Sequence, residues 1–74
     1  MSRLEEKLIE LGYELAMTQK FFVPKNKIVK TYSKKVGENL FNEILITKKG
    51  IYQTRALDEE VMQKDLEVLK EYET

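Results

Sequence analysis

The sequence predicts a small α+β domain in which an antiparallel β-meander of three or four strands forms one layer and two flanking helices form the other. Apolar residues recur at helical spacing at both ends of the chain, and the middle is rich in alternating β-branched and aromatic residues. Glycine or proline separates the first five segments. Because helices at the two ends cover only one face of such a sheet, we expect two layers in a single domain over 1–74.

The first predicted element is a short amphipathic helix over about 3–11. Ser2 and Glu5 have the spacing of a capping box, and Gly12 is placed to end the helix. The apolar residues at helical spacing are Leu4, Leu8, Ile9 and Leu11.

Strands are predicted next, because the period of the apolar residues changes to two. The first strand covers about 13–18 and 20–23, with an irregularity near Gln19, and Pro24-Lys25-Asn26 forms the turn that follows it. The remaining strands cover about 28–33, 40–47 and 51–55. They are separated by a loop over 34–39 and by a hairpin turn at Lys48-Lys49-Gly50, where glycine supplies a positive φ.

The last predicted element is a helix over about 57–72. Asp58 is the expected N-cap, with Glu59 and Glu60 in the first turn, and Thr54 is the alternative cap. The apolar residues at helical intervals are Leu57, Val61, Met62, Leu66, Leu69 and Tyr72.

Within 40–47, alternation places Leu40, Ile44 and Ile46 on the face under the helices. Phe41 and Leu45 then lie on the opposite face, which no helix of a two-layer domain covers. Two interpretations remain open: a partner or a second subunit covers them, or a bulge in the strand lets both join one core.

Charge is segregated along a chain whose total charge is zero. Residues 1–19 carry two positive and four negative charges, and residues 20–55 carry nine positive and two negative charges. Residues 56–74 carry two positive and seven negative charges. The net charges are therefore −2, +7 and −5, and we expect a basic sheet and acidic helices.

Histidine and cysteine are absent, so zinc sites and nucleophiles activated by histidine are excluded. We expect no enzyme, no cofactor and no metal. The first residues, MSRLEEKLIEL, are acidic where a signal peptide is basic, and no apolar run approaches the roughly 20 residues of a membrane span. We therefore expect a cytoplasmic protein that does not bind membranes.

The most basic stretch is KFFVPKNKIVKTYSKK, residues 20–35. Lysines with aromatic residues on a sheet suit nucleic acid, which gives one functional hypothesis. The alternative is that lysines keep sheet edges and turns soluble, and the scarcity of arginine favours it. The acidic last helix has two interpretations of the same kind: a surface for a basic partner, or a solvated helix face.

The ends of the chain carry a resemblance. EKLIELGYE (6–14) and MQKDLEVLKEYE (62–73) resemble the opening and closing segments of small uncharacterised proteins from phages and prophages of Gram-positive bacteria. The resemblance implies a protein that binds and disables a bacterial host or anti-phage defence protein, such as a CRISPR component, in the cytoplasm of the host.

The first hypothesis is therefore non-enzymatic, stoichiometric protein binding. Nucleic-acid binding by the basic meander and a homodimeric structural protein are the alternatives. The expected partner-binding residues are Lys30, Tyr32, Lys34, Lys35, Phe41, Leu45, Lys48 and Lys49. The alternative acidic face consists of Glu59, Glu60, Asp65, Glu67 and Glu71.

Overall fold

Four antiparallel strands form one sheet, and the helices from both ends of the chain pack on the same face of it. The computed structural model describes residues 3–21 and 27–72. The predicted α-β-β-β-β-α order and the two-layer α+β class are confirmed. The elements are α1 (Arg3–Glu10), β1 (Glu14–Phe21), β2 (Lys27–Gly37), β3 (Leu40–Thr47), β4 (Gly50–Arg55) and α2 (Glu59–Leu69), which a short 3₁₀ helix (Lys70–Tyr72) continues.

Each strand pairs with the next one along the chain, so β1 and β4 are the edges of the sheet. The register of β1 shifts at Ala16, and this bulge replaces the irregularity that the sequence predicted near Gln19. Further shifts lie at Val36 in β2 and at Tyr52 in β4. β3 is regular, so its alternate side chains keep to opposite faces.

Strand β2 continues to Gly37, whereas the sequence predicted a loop from Lys34 onward. Lys34 stays in the strand because it pairs with Asn42 of β3. The connection is a tight turn in which Asn39 has a φ of 59°, a left-handed conformation that asparagine adopts more readily than most residues. Glycine therefore marks the end of a strand here, beside a bulge, and not a loop.

Helix α1 ends at Glu10, and Gly12, which was predicted to close it, has a φ of 98°. The backbone N–H of Tyr13 donates to the carbonyl of Leu8 at 2.9 Å, which satisfies one of the last carbonyls of the helix. The predicted positive φ at Gly50 is also confirmed, at 120°.

Helix α2 is capped by Asp58, whose carboxylate accepts a hydrogen bond from the backbone N–H of Val61 at 3.1 Å. The alternative cap, Thr54, lies within β4 and is excluded. Asn42 of β3 anchors the same helix start: its Oδ1 accepts from the N–H groups of Leu57 and Asp58 at 2.9 and 3.0 Å, and its Nδ2 donates to the Asp58 carbonyl at 2.9 Å.

The core lies between the helices and one face of the sheet, and it includes Ile44 and Ile46, as predicted. Leu40, which the sequence assigned to the same core, is 46% exposed because it begins β3 at the turn. The predicted Ser2 cap, Phe22, Val23 and the turn Pro24-Lys25-Asn26 lie outside the described residues. Among the described residues, the core cluster consists of Leu4, Leu8, Tyr13, Tyr32, Ile44, Ile46, Met62 and Leu69.

Candidate protein-binding surface

The second face of the sheet, which we call the open face, points away from α1 and α2. The strand register assigns alternate residues to it, because residues paired across strands share a face. Its members are Glu14, Met17, Gln19 and Phe21 of β1, Lys27, Val29, Thr31, Ser33 and Lys35 of β2, Phe41, Glu43, Leu45 and Thr47 of β3, and Gln53 and Arg55 of β4. Tyr52, the unpaired residue of the β4 bulge, joins them because its ring contacts Lys27.

The centre of the open face is apolar and buried, although it lies outside the core cluster. Val29 is 1% exposed and Leu45 is 6% exposed. Larger side chains surround them and remain half exposed: Met17 at 53%, Phe21 at 41% and Tyr52 at 53%. These five residues are called the apolar patch below. An apolar group of this kind, on a sheet face that no helix or strand of residues 3–21 and 27–72 covers, is typical of an interaction surface.

Phe41 lies apart from the apolar patch. Ser33, Glu43 and Arg55 form a polar row across β2, β3 and β4 that separates it from Leu45. The Arg55 guanidinium lies 3.6 Å from the Glu43 carboxylate within this row. Of the two predicted apolar anchors, Phe41 is therefore exposed but peripheral, and Leu45 is central but buried.

The basic residues of the sheet are divided between its two faces. On the open face, the ammonium group of Lys27 lies 3.8 Å from the centre of the Tyr52 ring, and Lys35 is exposed. Lys48 and Lys49 are exposed in the β3–β4 turn. The predicted basic sheet is thus not one continuous basic surface.

On the helix face, Lys30 belongs to a group of three side chains with Glu5 of α1 and Tyr32. The Lys30 Nζ lies 3.2 Å from Glu5 Oε2, and the Tyr32 hydroxyl donates to the same oxygen at 2.9 Å. Burial, followed by the hydrogen bond to Glu5 and its charge, raises the pKa of Tyr32 to about 12. Tyr32 is buried in the core, so its ring is not on the surface.

A second group, again of one lysine, one tyrosine and one carboxylate, connects α2 to the sheet. The Lys34 Nζ lies 3.0 Å from Asp65 Oδ2, and the Tyr13 hydroxyl donates to that oxygen at 2.7 Å. Burial, followed by the hydrogen bond to Asp65 and its charge, raises the pKa of Tyr13 well above its usual range. Lys34 and Asp65, which the sequence placed on two different binding surfaces, therefore bind each other.

The other predicted acidic residues, Glu59, Glu60, Glu67 and Glu71, are exposed along α2 and the 3₁₀ helix. Glu67 lies 3.9 Å from Lys70, and both side chains are about three-quarters exposed. This pair is an ordinary contact one helical turn apart, which stabilises a surface helix only slightly.

A groove of about 540 Å³ lies on the helix face, where the start of α1 approaches the β3–β4 turn. Leu4, Ile28 and Ile46 contribute apolar side chains, and Arg3 and Lys48 contribute charge. Within residues 3–21 and 27–72, no group of three or more acidic side chains is placed to hold a metal ion.

Sequence reasoning missed two residues of the open face, Met17 and Phe21, as candidate anchors, and it considered Tyr52 only as a neighbour of Phe41 and Leu45. Met17 and Phe21 alternate along the first strand, but their face depends on the bulge at Ala16, which the sequence does not reveal. Tyr52 reaches the open face through its own bulge.

Comparison of the chain with protein-family models, with curated proteins and with solved structures gives no match. None of the helices in the described part of the chain has the length and apolar character needed to cross a membrane.

Proposed function

We propose that the protein is a non-enzymatic binding protein whose open face attaches to a protein partner. The observation that supports the proposal is the apolar patch, in which Met17, Phe21 and Tyr52 stand half exposed around buried Val29 and Leu45. Binding hot spots are rich in large side chains that lie in well-packed surroundings, and the apolar patch has this arrangement. The energy of binding comes from removing these side chains from water.

Lysines near the patch define the chemistry of the partner. Lys27 lies on the Tyr52 ring, and Lys49 is exposed in the adjoining β3–β4 turn. An apolar protrusion flanked by acidic residues complements this surface in shape and charge. The resemblance of the chain ends to phage proteins supports a bacterial host or anti-phage defence protein as that partner, bound stoichiometrically in the host cytoplasm.

Nucleic acid is less well supported, because the lysines do not form one track. Lys30 and Lys34 are paired with carboxylates on the helix face, so they do not join the open-face lysines. Lys27 already occupies one side of the Tyr52 ring, where a base would stack. Charge and exposed rings are present, but not in the arrangement that a phosphate backbone needs.

The test is capture from a bacterial lysate, with and without nuclease, using the wild type, Tyr52→Glu and Leu57→Glu as baits. Leu57 is 67% exposed and precedes α2, so it is a matched control outside the open face. We expect a nuclease-resistant protein that Tyr52→Glu loses and Leu57→Glu retains. A species lost on nuclease treatment would indicate nucleic-acid binding, and capture that Tyr52→Glu leaves unchanged would remove the open face as the site.

A further inference from the structure

Strand β1 is the least covered element of the fold. Its eight residues are all exposed, including Leu15, which the register places on the helix face. It pairs with β2 on one side, and no other strand of residues 3–21 and 27–72 pairs with its second side. An edge strand of this length, with apolar side chains, is a template for a further strand.

The bulge at Ala16 limits regular pairing to Met17–Phe21, since a bulge interrupts the ladder of hydrogen bonds. We propose that this segment pairs antiparallel with the same segment of a second copy of the chain. The two four-stranded sheets then join as one sheet of eight strands. This inference does not depend on the protein partner proposed above.

One register pairs all five residues of Met17–Phe21 with one another. It places Gln19 opposite Gln19 of the second copy on the two-fold axis, and Met17 opposite Phe21 twice. Met17, Gln19 and Phe21 all lie on the open face, so paired residues share a face, as an antiparallel sheet requires. The segment is therefore complementary to itself.

The charges allow this pairing. Lys20, the single charged residue of the segment, lies opposite Thr18 in this register, so no like charges face each other. The two Met17–Phe21 pairs remove half-exposed apolar side chains from water. A contact of this size is at the small end for protein interfaces, below about 1,200 Å², so the dimer forms reversibly as concentration rises.

The two-fold axis stands perpendicular to the sheet, so both open faces point to the same side. The two apolar patches then meet across the β1–β1 junction, and Tyr52 remains at the outer edge of each copy. A partner with repeated or dimeric structure engages both patches, which raises its apparent affinity without any new contact.

The absence of cysteine in the chain permits a direct test with single introduced cysteines. Gln19→Cys places two thiols at the two-fold axis, within reach of a disulfide after small adjustments. Gln53→Cys is the matched control, because Gln53 is exposed on the open face of the other edge strand. With a dimer Kd on the order of 10 μM and a millimolar effective concentration of the paired thiols, we expect Gln19→Cys to form covalent dimer on the order of 10²-fold faster than Gln53→Cys.

Light scattering over a concentration series measures the dimer without a crosslink. We expect the wild-type mass to rise from 8.8 kDa toward twice that value. Met17→Lys with Phe21→Lys should weaken the dimer by about tenfold or more, because lysines then face each other twice. Circular dichroism checks that this variant keeps its fold.

A wild type that stays at 8.8 kDa at millimolar concentration would overturn the dimer, as would equal crosslinking of Gln19→Cys and Gln53→Cys. Tyr52→Glu lies on the opposite edge strand, so it should abolish partner capture while leaving the dimer intact. The dimer and the partner-binding proposal can thus fail separately.

Discussion

Tyr13 and Asp65 are 52 positions apart in the chain and share a buried hydrogen bond of 2.7 Å between the phenol oxygen and Oδ2. Lys34 lies 3.0 Å from the same carboxylate oxygen. Tyr13 follows α1, Lys34 lies in β2 and Asp65 lies in α2, so one carboxylate joins the two helical ends of the chain to the sheet. Only 6% of the Asp65 surface is exposed, so its carboxylate depends on these two donors in place of water.

Replacing Asp65 should therefore destabilise the fold. Asp65→Ala leaves the Tyr13 hydroxyl and the partly buried Lys34 without their acceptor, and we expect a loss of about 3 kcal/mol in the free energy of unfolding. Glu67 lies two residues further along α2 and is exposed. Glu67→Ala should therefore change the free energy of unfolding by less than about 0.5 kcal/mol. Urea unfolding measures both, and similar values for the two variants would contradict this role of Asp65.

Alkaline pH should weaken the fold through Tyr13 and Tyr32. Both tyrosines hold their phenolic proton more tightly in the folded state, which raises the pKa of Tyr32 to about 12 and that of Tyr13 further. The unfolded chain loses these protons first, above a pH of about 10. The two tyrosines therefore make their full contribution to the free energy of unfolding below a pH of about 10. This contribution declines as the pH rises through about 12.

The measurement is the urea midpoint of unfolding at several pH values from about 9 to about 12. Tyr32→Phe removes one of the two titrating groups, so its midpoint should fall less steeply than that of the wild type. Phe41→Leu, at an exposed ring that has no hydroxyl, is the control and should keep the wild-type slope. If Tyr32→Phe leaves the dependence of the urea midpoint on pH unchanged, other groups cause the loss of stability at alkaline pH.

Asn42 should be the most sensitive polar residue of β3. Its side chain is fully buried and makes three hydrogen bonds to the backbone of Leu57 and Asp58, which fix the start of α2 against the sheet. Asn42→Ala leaves these backbone groups without partners, and we expect a loss of about 3 kcal/mol.

The N-cap residue Asp58 allows a comparison, because its side chain makes one hydrogen bond to the start of α2 where Asn42 makes three. Asp58→Ala removes the hydrogen bond to the Val61 N–H alone, so it should cost about 1 kcal/mol. Thermal unfolding followed by circular dichroism ranks the two variants. The opposite ranking would mean that the helix start is held by its own cap and not by β3.

Local patterns were sufficient for much of the fold. The alternation at Ile44 and Ile46 identified the core face, Gly12 and Gly50 identified two positive-φ positions, and Asp58 identified the start of the last helix. Each of these features depends on residues within a few positions of one another. The extension of β2 to Gly37 was missed because it depends on pairing with β3.

The candidate site was less predictable, because it depends on contacts between distant residues. In the sequence, nothing distinguishes Lys30 and Lys34 from Lys35. In the structure, Lys30 binds Glu5, 25 positions away, and Lys34 binds Asp65, 31 positions away. Alternation in the sequence placed Leu45 opposite the core face, with a bulge in the strand as the open alternative, and the regular register of β3 decides for the first. It did not show that Leu45 is almost inaccessible to solvent on that face, with 6% of its surface exposed.

Phe41 and Leu45 share a face of β3 but should respond differently to truncation. Leu45 is 6% exposed at the centre of the apolar patch, so Leu45→Ala removes packed methyl groups and should cost about 2 to 3 kcal/mol. Phe41 is 45% exposed beyond the polar row, so Phe41→Ala should cost less than about 1 kcal/mol. Urea unfolding at low micromolar concentration makes the comparison on the monomer. Equal losses would mean that the polar row of Ser33, Glu43 and Arg55 does not divide the open face, and that Phe41 belongs to the patch.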